Sequence, residues 1–591
     1  MKMNSDAKGL PKKDPDSQGG AINRRSFLRA SGGVAATFAL STQLASKAFA
    51  RPVTLGTRTN LNFLMQRATR GYNRKAMDLL QGTPLWKYRK EMLDDLPNEV
   101  DTVLDTFLLN FADPLASKAS QWIEPSTGSI ADPNATLYWT FNSTGNANAR
   151  TYLNINFVAR AIVGKSHLED RVADFFRQHF NIWKFKAGGL LIEDDREVIR
   201  KNALGSFPDM LKASAKSAAM LQYLDNERNG MLDANDNPKI NENYARELLE
   251  LHTIRPYDVG DINSTPHYTQ DDVEAVAAIL TGWRYRNFGL YDEDKSSSTD
   301  PIISGEFYFD PSRHIFGEQF FNGQSFGKPP HPHVGQPGQQ TFSGQDAGDD
   351  LLDYLVDPGA PSNTPGDWTA FSVAEGLCKF FLSYNPDTDS IRDARNKYRQ
   401  KNGNITDIVR NVLSDDNLTI HNTTEHLKLK TPVEFICSLF LATEATLLPT
   451  EPNIEQELTA MGQGPNDWHH PNGYPDEPGA WTNLITRWSF AARFFLRVDN
   501  MGIEEPGIPG IVLTDDVLFD MLQYTDLASV NLSTLSDNIE EMLVGACVFG
   551  GSDKDELDDF VSNLNPGLLS TTQIVRESCA FASMLPSFQY F

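Results

Sequence analysis

Residues 241–253 decide the fold, and they read Asn241-Glu242-Asn243-Tyr244-Ala245-Arg246-Glu247-Leu248-Leu249-Glu250-Leu251-His252-Thr253. The stretch contains good helix formers and neither glycine nor proline, so it predicts an α-helix. At 100° per residue, Tyr244, Leu248 and Leu251 share one apolar side, which has to pack against other elements. We therefore predict a mainly α-helical protein arranged around this segment.

The opposite side of the same helix is polar and gathers Asn243, Arg246, Glu247 and Glu250. Two carboxylates three residues apart repel each other by roughly a few tenths of a kcal/mol on an isolated helix. Arg246 precedes Glu250, which is the weaker order for a helical ion pair, so it offsets this repulsion poorly. A cation, a metal or a bound substrate would offset it better. This face is therefore a candidate site, with a solvated charged face as the alternative.

The chain as a whole is long and acidic. It has 591 residues, of which 40% are hydrophobic, and a formal net charge of -25. Such a length can bury a substantial core. The negative charge argues against nucleic acid and anionic membranes as partners, and favours solubility or cation binding.

The N-terminal segment is typical of a twin-arginine signal peptide. Paired arginines, Arg24 and Arg25, precede a mildly apolar segment over residues 30–44 and an A-x-A cleavage site at residues 48–50. The sequence has no other run of about 18 apolar residues, so we expect no membrane span after signal cleavage. We predict a signal peptide at residues 1–50, a mature domain at residues 51–591, and a periplasmic or extracellular location.

Helical patterns recur on both sides of the central stretch. Capping boxes at residues 269–272 and 431–434 predict two helix starts. The helix predicted over residues 168–183 carries His179 on its apolar face, either as a core histidine or as a ligand or acid/base group. We find no repeat period and no clean linker, so we predict one large helical domain.

A long Gly/Pro-rich insert over residues 284–368 interrupts this pattern. Within it, residues 305–309 and 316–321 are candidates to pair as a short β-hairpin across His314. A second loop, over residues 464–479, concentrates aromatic, histidine and acidic side chains and is a candidate lining for a site. The substrate-binding candidates are Asn243, Tyr244, Trp283, Trp468 and His469.

Residues 225–236 are similar to a calcium-binding loop, with glycine at loop position 6. Glu227 at position 3 and Asp236 at position 12 depart from the usual residue types, and an Asn/Asp-rich turn is the alternative. A Ca²⁺ site in this loop would use the oxygen-bearing side chains at positions 1, 3, 5, 9 and 12, which are Asp225, Glu227, Asn229, Asp233 and Asp236.

The central stretch, together with residues 268–273 and 280–283, resembles the signature of the bacterial family called domain of unknown function 1800. Further segments match that family in order: residues 64–71, 174–183, 223–226, 430–434, 461–463, 481–487 and 587–589. Residues 176–180 read Phe-Arg-Gln-His-Phe where the family often has Trp-His-Asn-His-Phe. Only His179 therefore carries over, which puts a two-histidine metal site in doubt.

The resemblance implies an exported and largely helical protein. Genes of this family often neighbour those of an exported family that resembles sulfatases and alkaline phosphatases, so such a protein is a possible partner. The resemblance implies no reaction, and a family likeness alone supplies no mechanism.

Three functions are consistent with these features. The first is a hydrolase or lyase acting on an envelope or extracellular polymer, in which Glu247 and Glu250 are general acid/base groups. Arg246 would hold an anionic group, and His179 and Tyr244 would support the carboxylates. The second is a non-catalytic helical scaffold for a neighbouring exported protein. The third is a metal-dependent redox protein, which no ligand spacing supports.

Overall fold

The computed structural model describes residues 58–98, 101–104, 145–232, 238–257, 264–285, 306–327, 344–448, 454–496, 508–546 and 548–591. The predicted signal peptide lies outside these residues. Within them α-helices dominate and the strands are two or three residues long, which confirms the mainly α prediction. No helix in this part of the chain is long and apolar enough to cross a membrane.

The N-terminal α-helices lead up to the central segment. They are Asn60–Thr69, Arg74–Leu80, Leu85–Lys90, Gly145–Ile162, His167–His179, Lys184–Ala187, Leu190–Glu193, Phe207–Lys216 and Ala218–Tyr223. Two π-helical segments, Glu91–Asp95 and Asp194–Arg200, extend helices in this region.

The α-helices after the central segment complete the molecule. They are Gln270–Ile279, Gly344–Val356, Pro365–Phe381, Thr388–Gln400, Ile405–Val412, Asp415–His421, Pro432–Thr443, Ile454–Ala460, Leu484–Leu496, Asp515–Met521, Leu535–Leu543, Gly551–Asn563, Thr571–Met584 and Pro586–Gln589. Both predicted capping boxes are formed, at Thr269 with Asp272 and at Thr431 with Glu434. At each of these helix starts, two side chains accept hydrogen bonds from each other's backbone N–H groups. Both partners lie within four residues, so the helix starts could be predicted from the local sequence.

The central segment is helical, as predicted, but it is not a uniform α-helix. Asn243–Glu247 is α-helical and Leu248–His252 continues as a π-helix, whose hydrogen bonds span five residues instead of four. Tyr244 and Leu248 are fully buried, as the helical pattern predicts. Leu251 is only half-buried, because the wider turn rotates it out of the apolar side.

Two clusters of buried apolar side chains make up the core of the described residues. The first extends from Phe63 to Leu418 and includes the central segment. The second extends from Val433 to Phe588 and also takes in Leu104 and part of the helix Gly145–Ile162. Helix His167–His179 belongs to the first cluster and helix Pro432–Thr443 to the second. Buried charged side chains join these two helices, as Arg171 does by its ion pair with Glu434.

The insert contains short antiparallel pairs, but the predicted pairing was wrong. Phe307–Phe309 pairs with Trp283–Tyr285, and Gln319–Phe321 pairs with Gln324–Phe326. Asn322 and Gly323 both have positive φ at the tip of the second hairpin, as an Asn-Gly turn requires. The Asn322-Gly323 dipeptide is therefore the sequence signal that would have predicted the pairing of Gln319–Phe321 with Gln324–Phe326. Two further pairs join Met231–Leu232 to Pro238–Lys239 and Thr446–Leu447 to Ile511–Val512.

Candidate functional site

A cleft of about 480 Å³ opens beside the central helix, and we call it the Glu247 cleft. Three parts of the chain meet there: the central helix, the segment around residues 183–186 with the neighbouring helix end, and the loop at residues 464–479. The lining residues are Trp183, Lys186, Tyr223, Leu224, Asn243, Glu247, Asp467, His469 and Pro471. The cleft therefore combines aromatic rings with two carboxyl groups and one ammonium group.

The central helix contributes Asn243 and Glu247, which lie one helical turn apart on the same side. The Asn243 amide is held in place, because its Nδ2 donates a hydrogen bond of 3.1 Å to the carbonyl oxygen of Leu224. Tyr244 and Leu248 fix the helix from the other side by being fully buried. Because the apolar face of the helix is buried, its polar face with Asn243 and Glu247 is turned towards the cleft.

The second wall is built by Trp183 and Lys186. The Lys186 Nζ lies 2.8 Å from Asp225 Oδ2 and 5.8 Å from the centre of the Tyr223 ring. The backbone carbonyl of Lys186 accepts a hydrogen bond of 2.6 Å from Gln222 Nε2. The ammonium group is therefore held at the cleft by a carboxylate and an aromatic face.

The loop at residues 464–479, a candidate site lining in the sequence analysis, forms the third wall of the cleft. Asn181 Nδ2 donates to the carbonyl oxygens of Trp468 (2.9 Å) and His470 (2.7 Å). Asp467 Oδ2 lies 3.5 Å from Lys184 Nζ. The His469 ring packs edge-on against Trp183, with 6.3 Å between ring centroids. Side-chain bonds to the loop backbone thus position Asp467 and His469 in the cleft.

Glu247 is the carboxyl group of the cleft whose protonation is perturbed. Partial burial raises its pKa above the ordinary value, and the negative charge of Glu250 raises it further. Arg246 opposes this shift only in part, because its guanidinium bonds to Glu242 and Gln270, at 2.9 Å each. The pair of glutamates therefore favours keeping a proton on Glu247 above the pH at which a free glutamate loses it.

Glu250 and Arg246 lie on the same helix but outside the cleft lining. Glu250 is half-buried, and its charge adds to the effect of burial in raising the pKa of Tyr268 to about 12. Trp468 also lies beside the cleft, where its Nε1 donates to Asn472 Oδ1 (3.1 Å) and its ring packs on Tyr474. Of the sequence candidates, the structure thus brings Asn243, Glu247 and His469 into the cleft itself.

The structure places His179 away from this lining, in an aromatic part of the core. Its ring packs against those of Phe180 and Phe207, and its Nε2–H donates a hydrogen bond of 3.0 Å to the carbonyl oxygen of His252. Burial lowers the pKa of His179 to about 4. The histidine is therefore neutral at ordinary pH and supports the π-helical end of the central segment.

Two further candidates are buried. Tyr244 and Trp283 are both 0% exposed. Trp283 packs on Phe307 with 5.2 Å between ring centroids, and Gly348 approaches it from the helix Gly344–Val356. Both residues thus serve the core in this structure and do not reach the cleft.

The structure describes part of the predicted calcium loop, and the prediction stays untested because Asp233 and Asp236 lie outside the described residues. Asp225 forms the ion pair with Lys186 described above. The Asn229 side chain is buried, with Nδ2 donating to Ala277 O (2.8 Å) and Oδ1 accepting from Asn241 N (2.8 Å). Glu227 is partly buried, and its Oε1 lies 3.4 Å from Arg228 Nε. Among the described residues, no group of three or more His, Cys, Asp and Glu side chains could hold a metal ion.

The site residues predicted from the sequence left out six of the cleft-lining residues, which are Trp183, Lys186, Tyr223, Leu224, Asp467 and Pro471. Trp183 and Tyr223 lie at the ends of segments that matched the family pattern, and Asp467 lies in the loop that was already a candidate lining. The missing information was spatial, because no spacing in the chain relates residues 183–186 to residues 464–479.

The fold and the site define a class: a large helical protein with an aromatic cleft that carries a half-buried glutamate. The chain belongs to a family described as a protein of unknown function, DUF1800, whose pattern matches residues 63–590. No curated protein and no solved structure matches the chain.

Proposed function

We propose that this protein is a hydrolase or lyase that cleaves a polymer of the cell envelope or the extracellular space. The observation that carries the proposal is the position of Glu247, a half-buried carboxyl group with a raised pKa in the wall of an aromatic cleft. Perturbed carboxyl groups in clefts are characteristic of acid/base sites. A carboxyl group with a raised pKa is better suited than a free one to donate its proton to a leaving group.

The second carboxyl group of the proposed reaction is Asp467, and not Glu250. Asp467 lines the same cleft from the opposite loop, with the Lys184 ammonium at 3.5 Å as its counter-charge. Two carboxyl groups in one cleft, one acting as acid and the other as base or nucleophile, are the pair that glycoside hydrolysis uses. The division supported here has Glu247 as the acid and Asp467 as the base or nucleophile.

The lining also supports a role for the other cleft residues in binding. Trp183, Tyr223 and His469 present rings that cover apolar parts of a substrate, whereas Asn243 and Lys186 offer hydrogen-bond donors. A cleft, unlike a closed cavity, accepts a segment in the middle of a chain. This combination favours a polymer with hydroxyl or acidic groups.

Turnover of a panel of envelope and extracellular polymers tests the proposal, with new chain ends and unsaturated products measured separately. Glu247→Gln should lower turnover by about 100-fold or more, because general acid catalysis typically contributes about 10²–10⁴-fold. Glu242→Gln is the matched control, since Glu242 stands at the N-cap position of the same helix without a side-chain cap bond and pairs with Arg246 outside the cleft. Unchanged turnover in Glu247→Gln would refute the catalytic role.

A scaffold role is the alternative outcome of the same experiment. In that case the wild-type protein turns over none of the polymers. Glu247→Gln would then weaken binding to an exported sulfatase-like or phosphatase-like partner protein.

We also propose export by the twin-arginine route with cleavage after Ala50. The support is the pair Arg24 and Arg25 with the A-x-A site in the sequence. Replacing both arginines by lysine should leave the precursor in the cytoplasm, as followed by fractionation. Normal export of the double variant would contradict this proposal.

A further inference from the structure

Five buried cationic side chains meet where the two apolar clusters join, and we call them the buried cationic cluster. They come from distant parts of the chain, and each is between 0% and 5% exposed: Arg67, Arg171, Lys428, Lys430 and Arg487. Such residues are almost never fully buried unless they are paired. In a chain with a net charge of -25, a buried excess of positive charge calls for an explanation.

Two carboxyl groups within the described residues pair with this cluster. Glu434 accepts a hydrogen bond from Arg171 Nη1 and another, of 2.7 Å, from the backbone N–H of Thr431. Asp476 lies 2.7 Å from the Nζ of Lys428. Two carboxyl groups thus face five basic side chains.

The two guanidinium groups at the centre have unused hydrogen-bond donors. In Arg67 the Nε and Nη1 atoms, and in Arg171 the Nε and Nη2 atoms, are buried and have no hydrogen-bond partner among the described residues. Arg67 makes one hydrogen bond, from Nη2 to the carbonyl oxygen of His426 at 3.2 Å. Burying donors of a charged group without partners is costly.

Aromatic rings hold these guanidinium groups in fixed orientations. The Arg67 guanidinium lies 4.3 Å from the centre of the Phe591 ring, and that of Arg171 lies 4.4 Å from the centre of the Phe380 ring. The Lys430 ammonium lies 4.0 Å from the centre of the Phe588 ring. The cations are therefore arranged before any ligand binds, so binding loses little side-chain entropy.

The pKa values in the cluster reflect, first of all, the burial of its cations. Burial lowers the pKa of Lys430 to about 7, and it lowers the pKa of Arg487 to about 10. Burial, and then the charge of Arg58, lowers the pKa of Arg67, with Arg171 adding to the effect. A lysine relieves such a position by losing its proton, but an arginine stays charged in proteins. The remaining charge of Arg67 and Arg171 is best met by an anion.

We propose that the buried cationic cluster binds one small oxyanion, of the phosphate or sulfate class, between Arg67 and Arg171. The fork of an arginine matches two oxygens of such an anion, and the free Nε and Nη atoms supply the donors. Bound there, the anion links helix Asn60–Thr69 and helix His167–His179 to the segment that carries Lys428 and Lys430. The site is therefore a structural anion site at the junction of the two clusters, independent of the Glu247 cleft.

Thermal unfolding with inorganic phosphate and with sulfate tests this site, at low millimolar concentration and against sodium chloride of equal ionic strength. A ligand that binds only the folded state raises the melting midpoint progressively with its concentration. We expect that rise with both oxyanions and not with chloride, together with one bound phosphate per chain in equilibrium dialysis. No rise and no bound phosphate would overturn the proposal.

Arg67→Met should abolish both the rise of the melting midpoint and the binding of phosphate. Arg392→Met is the control, because Arg392 is an exposed arginine paired with Asp389 at 2.7 Å, and it should keep both. Should Arg67→Met fail to fold, Lys430→Met replaces it, measured below the pKa of Lys430, where the loss of one neighbouring cation should give a smaller rise of the melting midpoint. An equal rise in all variants would identify a general salt effect on folding, which sulfate and phosphate also exert, and would overturn the site. Glu247→Gln should keep the rise of the melting midpoint with phosphate and sulfate. The anion site can therefore be tested independently of the function proposed for the cleft.

Discussion

The hydroxyl of Tyr223 donates a hydrogen bond of 2.8 Å to the carbonyl oxygen of His469. This bond joins two walls of the Glu247 cleft that are far apart in the sequence. Both residues also line the cleft directly. The position of the loop at residues 464–479 therefore depends on a side chain from the helix Ala218–Tyr223.

Tyr223→Phe should loosen this loop without unfolding the protein. The change removes one hydrogen bond, which contributes about 1 kcal/mol net, and leaves the ring in place. Amide hydrogen exchange should accelerate over residues 464–479. The matched control is Tyr524→Phe, because the Tyr524 hydroxyl donates a comparable bond of 3.0 Å to Asn531 in another part of the molecule. Equal protection of the loop in wild type and Tyr223→Phe would show that other contacts hold it.

Asp194 should make the stability of the protein fall as pH rises. Burial raises the pKa of this carboxyl group to about 7, and Ser217 donates a hydrogen bond to it. Because the folded state binds the proton more tightly than the unfolded chain, this contribution is complete below the unfolded pKa, near 4, and is lost as pH rises through about 7. The loss is at most about 4 kcal/mol, from a shift of about three pH units.

Asp194→Asn should remove that dependence, so the variant gains stability relative to wild type between pH 4 and pH 8 in urea unfolding. Asp195→Asn is the control with the opposite sign. Although burial alone raises the pKa of Asp195, the charges of Arg177 and Arg200 hold it below its usual range. Its contribution is therefore present above the unfolded pKa and lost as pH falls. Parallel pH profiles for wild type and Asp194→Asn would contradict the prediction.

Gly348→Ala should destabilise the protein by about 1–3 kcal/mol, the usual cost of overpacking a core. A methyl group at Gly348 would lie 2.2 Å from Cζ2 of the buried Trp283, so the helix Gly344–Val356 has to shift. Urea unfolding and near-ultraviolet circular dichroism of the tryptophan environment measure the effect. Gly551→Ala, where a methyl group meets nothing within 4 Å, should be neutral or slightly stabilising. A neutral Gly348→Ala would mean that the contact relaxes without cost.

Calcium at residues 225–236 remains a prediction of the sequence. Millimolar calcium should raise the melting midpoint, and a chelator should reverse the rise. Asp233→Asn with Asp236→Asn should abolish the response, because both carboxylates are proposed ligands. Magnesium at the same concentration is the control, since it tolerates fewer ligands and stricter geometry. An unchanged midpoint would favour the Asn/Asp-rich turn.

Local features of the fold could be read from the sequence. The starts at Thr269 and Thr431 depend on hydrogen bonds within a few residues, and the burial of Tyr244 and Leu248 follows from helical periodicity. The helix Gly344–Val356, inside the predicted insert, was missed although Leu351, Leu352 and Leu355 are spaced to bury one side. The Gly- and Asp-rich composition around it obscured that pattern.

By itself the sequence determined the fold class, the family and the segment that carries the candidate carboxyl group. Only the tertiary structure decided that Asp467 shares the cleft with Glu247, that His179 packs against core phenylalanine rings, that Trp283 is buried, and that buried cations gather at Arg67. The reason is physical. Helix formation and capping are set by neighbours along the chain, whereas the burial and pKa of a side chain depend on which distant segments pack around it.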